Sequence, residues 1–177
     1  MNYLQKMKGT TSSPPRVSLS EVFWSWLGSF LGIAAVALVH FRLLSGSELL
    51  LVIGSFGASA VLIYGAIKSP LAQPRNLLGG HVISAIIGVT CFQVLGGGAL
   101  ASALAVSLAI AAMHLSKTLH PPGGATALIA VTGGEEIYAL GYLYALVPAG
   151  SGALLMLAVA VLVNNIPKRR YYPEFWI

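Results

Sequence analysis

Charge is what this sequence has least of. Ten of the 177 residues are Lys or Arg, five are acidic, and every acidic residue is Glu, because Asp is absent. Charged residues make up 8% of the chain and apolar residues 56%, whereas a soluble globular domain has roughly 25% charged residues. So few charges cannot cover the surface of a water-soluble domain, which argues against a soluble enzyme or a disordered tail. The composition predicts an integral membrane protein.

Other shortages exclude further classes of protein. Without Asp, with Glu outside the long apolar runs and with four His at no ligand spacing, we expect no metal site. The single Cys91 allows no disulfide within the chain. The basic residues are scattered and form no stripe, which argues against nucleic-acid binding. No strand-turn-helix motif frames a serine nucleophile, so we expect no enzyme and no cofactor.

Long uncharged stretches indicate the membrane spans. There are four of them: 22–41, 49–67, 77–116 and 137–167. A bilayer-spanning helix needs roughly 20 apolar residues. The third stretch breaks at Gly96-Gly97-Gly98, which predicts helices near 78–95 and 99–116, and the fourth predicts a span over 141–163. Five clear spans result, and a sixth apolar segment over 123–133 has about half the required length.

The positive charges indicate whether the short segment crosses. With six crossings and a cytoplasmic N-terminus, nine Lys and Arg lie inside and Arg42 alone lies outside. Five crossings would move the Lys168-Arg169-Arg170 run outside and reduce the split to six against four. Six crossings with both termini cytoplasmic are therefore predicted. The predicted regions are a cytoplasmic arm over 1–20, a single transmembrane domain over 21–163 and a basic, aromatic cytoplasmic tail over 164–177.

The short segment can cross only if part of it is extended. Pro121 and Pro122 bias the residues before them, including His120, away from helix. A few extended residues at about 3.3 Å each and about eleven helical residues at 1.5 Å each reach roughly 30 Å. The fifth span is therefore predicted to be broken, with a helix beginning near the middle of the bilayer at Gly123-Gly124.

An internal repeat relates the second and fifth spans. The run Gly57-Ala58-Ser59-Ala60-Val61 matches Gly124-Ala125-Thr126-Ala127-Leu128 at an offset of 67 residues. Each copy would contain three crossings, and because three is odd, the copies would have opposite orientations. The predicted fold is an all-α polytopic membrane helix bundle. Its six spans form a 3+3 inverted repeat, about 21–95 and about 99–163, with two broken half-helix spans.

The two broken spans predict an anion site near mid-membrane. Helices beginning at Gly57 and Gly124 would direct their free N–H groups, each end carrying about half a positive charge, at one another. The expected substrate-binding residues are Gly57, Ala58, Ser59, His120, Gly123, Gly124, Ala125 and Thr126. Two alternatives stay open. One is a positive constriction in a channel for neutral solutes. The other is close packing of helices by small residues, as expected for the segment Gly28 to Gly32.

The ionisable side chains have alternative roles as well. His120 could donate a hydrogen bond or a proton to a bound anion, or could only bond loop carbonyls. Arg75, Asn76 and His81 form a candidate inner vestibule, with His81 at the start of the third helix. Alternatively, Arg75 is a topology signal or headgroup contact and His81 anchors a helix end. Expected partners are a small anion and membrane lipids, and homo-oligomer formation is left open.

The run from Thr118 to Ala127, which contains His120-Pro121-Pro122-Gly123-Gly124, resembles the signature of the HPP family of integral membrane proteins. Two further stretches resemble that family, Gly54 to Ala60 and Pro70 to Gly88, and the similarity covers roughly 24–163. The family is usually described with four spans, fewer than the charge count predicts.

Members of that family with a known role are similar to nitrite transporters. The resemblance therefore implies a permease or channel for a small inorganic anion, with nitrite as the first candidate and nitrate or formate as others. The rival interpretation is a non-transporting membrane scaffold or partner subunit. The short region before the first span holds no Arg- and Ser-rich transit segment, which favours a bacterial or cyanobacterial inner membrane. Whether transport is passive or proton-coupled is left open.

Overall fold

The regular secondary structure of the protein is helical in the part described by the computed structural model, which covers residues 2–9, 11–43 and 51–177. The start of the predicted second span, at 49, lies outside these residues. No strand occurs in the described ranges. The helices there are α1 (Tyr3–Lys6), α2 (Leu19–Leu38), α3 (Ser55–Ala60), α4 (Pro74–Leu95), α5 (Ala99–Leu115), α6 (Pro121–Thr132), α7 (Glu135–Leu140) and α8 (Ser151–Asn164). The predicted all-α class is confirmed.

Within the described ranges, three helical stretches are long and apolar enough to cross a membrane. They are Leu19–Arg42, Pro74–Leu95 and Ala145–Asn164. The first of these ends in a wider helical turn, and the last begins with one. Two shorter apolar helices, Ser55–Gly65 and Ala99–Leu115, accompany them. The molecule is therefore a helical membrane protein, as the composition predicted.

Glycine and proline set the helix boundaries near the middle of the chain. Gly96 and Gly98 have positive φ angles of 71° and 113°, a conformation that costs glycine little, and they separate α4 from α5 as predicted. Pro121 begins α6 after an extended His120 (φ −140°, ψ 104°). Proline suits a first helical position because its φ is fixed and its missing N–H needs no partner there. This corrects the predicted start at Gly123-Gly124 by two residues.

The last span differs from its predicted form. Val147 has extended dihedral angles (φ −132°, ψ 118°) just before Pro148, which interrupts the helical stretch Ala145–Asn164. Proline restricts the residue before it to extended conformations, and this local rule accounts for the break. The predicted span over 141–163 therefore corresponds to the apolar stretch Ala145–Asn164, but the expectation that it forms one full helix was wrong.

Helices α4 and α6 meet at a seam of glycines. A methyl group added to Gly80 would lie 2.5 Å from the His120 Cβ, and one added to Gly88 would lie 2.5 Å from the Ala127 carbonyl oxygen. A methyl group on Gly123 would lie 2.8 Å from the Gly80 carbonyl oxygen. Small residues at such positions let two helix backbones touch. Helices α4 and α6 therefore pack backbone against backbone.

Helix α3, together with the wider turn that ends it, also packs against α2 and α8. The Tyr64 ring, in the wider turn that ends α3, lies over Gly28 and Gly32 of α2, where sequence predicted close packing. Its hydroxyl donates to the Met156 carbonyl of α8 at 3.0 Å. Phe56 packs against Gly152 of α8. The bundle thus has a tight contact between α4 and α6 and a second set of contacts among α2, α3 and α8.

The C-terminal tail folds back onto α2, α8 and the wider turn that ends α3. Arg170 is 6% exposed; its Nη2 donates to the Tyr64 carbonyl at 2.7 Å and to Asn164 Oδ1 at 2.9 Å. Its Nη1 lies 3.3 Å from Glu21 Oε1. Burial lowers the pKa of Arg170, and the Glu21 carboxylate acts in the opposite direction. The tail predicted from its charge is therefore an anchored strap, with Arg170 inside the protein.

Replacing Arg170 with Ala is expected to release this strap. The change removes two charge-assisted hydrogen bonds, each worth about 1.5–3 kcal/mol, and leaves Glu21 without its cation. We expect the free energy of unfolding to fall by about 2–4 kcal/mol and the tail to become sensitive to protease. Thermal unfolding and limited proteolysis in detergent measure both effects. Arg169→Ala is the matched control, because Arg169 is exposed; equal behaviour of the two variants would contradict the anchoring role.

Candidate functional site

A buried polar cluster lies where α3, α4 and α6 meet. Its centre is His81, whose Nε2 lies 2.7 Å from Ser59 Oγ and whose Nδ1 lies 2.7 Å from Thr126 Oγ1. All three residues are 0% exposed. Ser59 and Thr126 are equivalent positions of the sequence repeat, separated by 67 residues. The two hydroxyl groups therefore bracket one imidazole ring, with one at each ring nitrogen.

His120 extends the cluster toward the loop before α4. Its Nε2 lies 2.9 Å from Ser59 Oγ, and its Nδ1 lies 2.8 Å from the Leu71 carbonyl oxygen. The centroids of the His81 and His120 rings are 5.2 Å apart. Gly80 leaves the space that the His120 Cβ occupies. Ser59 Oγ therefore joins the two histidines.

On the other side of His81 the cluster continues to the beginning of α3. Thr126 Oγ1 lies 2.9 Å from Ser55 Oγ and 3.3 Å from the Pro122 carbonyl oxygen. Ser55 and Ser59 are four residues apart and so share one face of the helix. The Phe56 ring meets the His81 ring edge to face at a centroid distance of 5.2 Å. One unbroken line of hydrogen-bonding groups thus runs from Ser55 to the Leu71 carbonyl.

The cluster is fully paired but contains no side chain that carries a permanent charge. Each ring nitrogen of both histidines has a hydroxyl or carbonyl partner within 2.9 Å. Polar groups inside a membrane domain are costly and mark functional sites more often than structural ones. Pairing offsets that cost and holds the groups in one geometry.

The structure brings only part of the predicted binding set together. Ser59, His120 and Thr126 converge with His81. Gly57 and Ala58 are exposed on α3, and Gly57 lines a surface groove of about 620 Å³ beside α2. Gly124 and Ala125 line a second groove, of about 550 Å³, beside α5. Positions two apart on a helix point in roughly opposite directions, about 200° apart, so each glycine faces away from the hydroxyl two residues later.

The remaining predicted residues pack beside the cluster or hold the loop that precedes His120. Gly123 is buried against Ser84 and the Gly80 backbone. Arg75 Nη2 donates to the Ser116 carbonyl at 2.7 Å, and Asn76 Nδ2 donates to the Leu119 carbonyl at 2.8 Å. These two bonds hold the loop that leads into His120. The candidate vestibule residues Arg75 and Asn76 are therefore engaged with backbone in this structure.

His81 lies deeper than predicted. Helix α4 begins at Pro74, so His81 is seven residues, or about 10 Å, along the helix axis and does not begin the helix. Ser55 and the Leu71 carbonyl were missed altogether. The spacing of four residues between Ser55 and Ser59 would have identified Ser55. Tyr144 was also missed; its hydroxyl donates to the Thr126 carbonyl at 3.1 Å. No group of three or more His, Cys, Asp or Glu lies together in the described ranges.

Fold and site together define a helical membrane protein with a buried histidine and hydroxyl centre. Residues 14–173 match the family described as HPP, transmembrane region. The chain belongs to this family, as the resemblance of its His-Pro-Pro segment implied.

Two curated relatives are transmembrane proteins of Dictyostelium discoideum. One is 51% identical over 180 residues, which cover 99% of this chain and 58% of the relative. The other is 47% identical over 182 residues, which cover 99% of this chain and 64% of the relative. The chain thus spans about three fifths of the length of these relatives. No solved structure matches it.

Proposed function

We propose that the chain is a membrane permease for a small inorganic anion, with nitrite as the first candidate and the His81 cluster as the binding site. The observation that carries this proposal is the bracketing of His81 by Ser59 and Thr126, both at 2.7 Å and all fully buried. Hydroxyl and imidazole N–H groups are the neutral donors that a buried anion requires. Nitrite is preferred over nitrate and formate because of the family resemblance alone.

The order of helix lengths supports a six-span, 3+3 inverted arrangement for this permease. The stretches Leu19–Arg42, Ser55–Gly65 and Pro74–Leu95 read long, short, long. In the second half, α6 with 12 residues lies between α5 with 17 residues and the longer stretch Ala145–Asn164. Transporter sites often lie at the interface of such repeats, beside interrupted helices. Cytoplasmic termini remain part of the proposal. The matched relatives come from an amoeba and give no support to a bacterial inner membrane, so that location stays a prediction.

In this structure the site is closed. Ser59, His81, His120 and Thr126 are each 0% exposed, so an anion can reach them only when helices separate. The hydroxyl and N–H groups that now bond one another within the cluster would then donate hydrogen bonds to the anion. These new bonds would offset the cost of removing the anion from water. In the proposed transport cycle, this closed arrangement would alternate with states in which the site is open.

Uptake into liposomes tests this function. The purified 177-residue chain is reconstituted, and uptake of nitrite, nitrate and formate is measured against protein-free liposomes, because neutral nitrous and formic acids cross lipid unaided. We expect saturable nitrite uptake that falls about tenfold in Thr126→Val, since one lost hydrogen bond of about 1.4 kcal/mol corresponds to a factor of ten. Thr132→Val is the control: Thr132 is exposed and bonds only its own helix, at the Leu128 carbonyl. Absence of uptake for all three anions would favour the non-transporting scaffold.

A further inference from the structure

The hydrogen-bonded line through the cluster has a fixed direction at one end. The Leu71 carbonyl can only accept, so His120 Nδ1 carries the proton and donates to it. A neutral His120 then has an accepting Nε2, to which the Ser59 hydroxyl donates its single hydrogen. Ser59 Oγ is left as an acceptor for His81, so His81 must carry its proton on Nε2. The tautomers of both rings follow from one backbone carbonyl.

At the other end of the line, the hydrogen bond between His81 and Thr126 can be donated by either residue. In neutral His81 the bare Nδ1 accepts the single hydrogen of the Thr126 hydroxyl, so Thr126 then gives no hydrogen to Ser55 Oγ. If Nδ1 gains a proton, Thr126 accepts from it and turns its own hydrogen to Ser55 Oγ or to the Pro122 carbonyl oxygen. Hydroxyl groups rotate freely enough to serve both arrangements. The same positions of C, N and O atoms therefore satisfy His81 with one proton or with two.

In the part of the chain that the structure describes, no other group near the line compensates a charge. Among the described residues, no carboxylate is joined to it by a hydrogen bond or an ion pair. Titratable or charged groups on the surrounding elements donate hydrogen bonds to backbone carbonyls instead: Arg75 to Ser116, Tyr144 to Thr126 and Tyr172 to Ala72. An isolated anion or an isolated imidazolium would be strongly disfavoured there. A proton and a monovalent anion that enter together leave the site neutral.

We propose that the permease carries one proton with each anion and that His81 holds the proton. This inference rests on the proposed function and adds its coupling. On loading, a proton adds to the lone pair of His81 Nδ1 and forms an N–H bond, while the anion accepts hydrogen bonds beside it. On release that N–H bond breaks, and the proton leaves on the same side as the anion. No electrons are transferred, and His81 returns to its single-proton form.

Coupling gives transport a defined pH dependence. Because a proton is a co-substrate, nitrite uptake rises when the outside is acidified and falls when the outside is made alkaline. In proteoliposomes with an internal pH dye, we expect one proton to enter for each nitrite above the protein-free background. A pH gradient alone should drive nitrite accumulation inside.

A spectroscopic test separates this inference from the permease proposal. In protein labelled with ¹⁵N-histidine, His81 should be the Nε2–H tautomer and His120 the Nδ1–H tautomer, with assignments made from single His→Gln variants. Saturating nitrite at constant pH should convert His81 to the doubly protonated form, whereas chloride should not. Ser55→Ala, which leaves both histidines and Ser59 intact, should weaken the nitrite-induced conversion about tenfold; Ser107→Ala, at an exposed position of α5, should not change it.

The outcomes distinguish the two proposals. Nitrite uptake without proton entry, and with His81 neutral under saturating nitrite, overturns the coupling and leaves the permease standing. Conversion of His81 by nitrite without any uptake supports the paired binding of anion and proton but overturns transport. The opposite tautomer on His81 overturns the coupling, whatever the flux. If Ser55→Ala fails to fold, the tautomers and the proton-to-nitrite ratio of the unmodified protein decide alone.

Discussion

His81→Gln is expected to reduce nitrite uptake by about 100-fold or more, the lower range of what a positioned acid or base contributes. A glutamine amide has both a donor and an acceptor, so it can still bond Ser59 and Thr126, and the fold should survive. It cannot hold a proton, which leaves a bound anion without compensation. The variant thus separates hydrogen bonding from proton binding at one position. Uptake of radiolabelled or colorimetrically assayed nitrite at acidic outside pH measures the effect.

The matched control for that variant is His114→Gln. His114 is exposed near the end of α5, outside the cluster, and the same chemical change there should leave uptake within about twofold of the unmodified protein. Gel filtration and the unfolding temperature confirm that both variants fold. If His81→Gln transports as well as His114→Gln, His81 is not the centre of the site.

Gly80→Ala is expected to damage stability and transport together. The added methyl group would lie 2.5 Å from the His120 Cβ and 3.1 Å from the Thr118 carbonyl oxygen. Relief requires the start of α6 to move, and overpacking of this kind costs about 1–3 kcal/mol. The bonds from His120 to Ser59 and to Leu71 would stretch with that movement. We expect a lower unfolding temperature and a loss of nitrite uptake of about tenfold or more.

Gly57→Ala is the matched control for stability. A methyl group at Gly57 would meet nothing within 4 Å, and alanine favours helix over glycine by about 1 kcal/mol. The unfolding temperature should therefore stay the same or rise. If Gly57→Ala lost as much stability as Gly80→Ala, the effect of Gly80→Ala could not be attributed to crowding at the α4–α6 seam.

Much of the molecule follows from short-range rules that the sequence makes visible. The scarcity of charge predicts the membrane, the glycine run at 96–98 predicts the boundary between α4 and α5, and Pro121-Pro122 predicts the extended His120. The repeat pairs Ser59 with Thr126, and these two hydroxyl groups meet at one ring in the structure. Each inference depends on residues within a few positions of each other, or on a match between two such segments.

The errors have equally definite causes. The repeat was interpreted through its glycines, although a helix turns about 100° per residue and places Gly57 and Ser59 on opposite faces. The predicted start of the third span, at 78, is four residues later than the observed start of α4 at Pro74. His81 therefore lies about 6 Å further along its helix than predicted. The partnership of Arg170 with Tyr64 and Glu21 joins residues more than 100 positions apart. No local pattern reports such a contact.

The polar line joins residues of different helices. Ser55 and Ser59 lie on α3, while His81 lies on α4, His120 directly before α6 and Thr126 within α6. A movement of α3 away from α4 and α6 would therefore break the bonds from Ser59 to both histidines. In the proposed permease, the hydrogen bonds at the binding residues are thus also the contacts that keep the site closed. A solute that can replace these bonds would open the site, and a solute that cannot replace them would leave it closed.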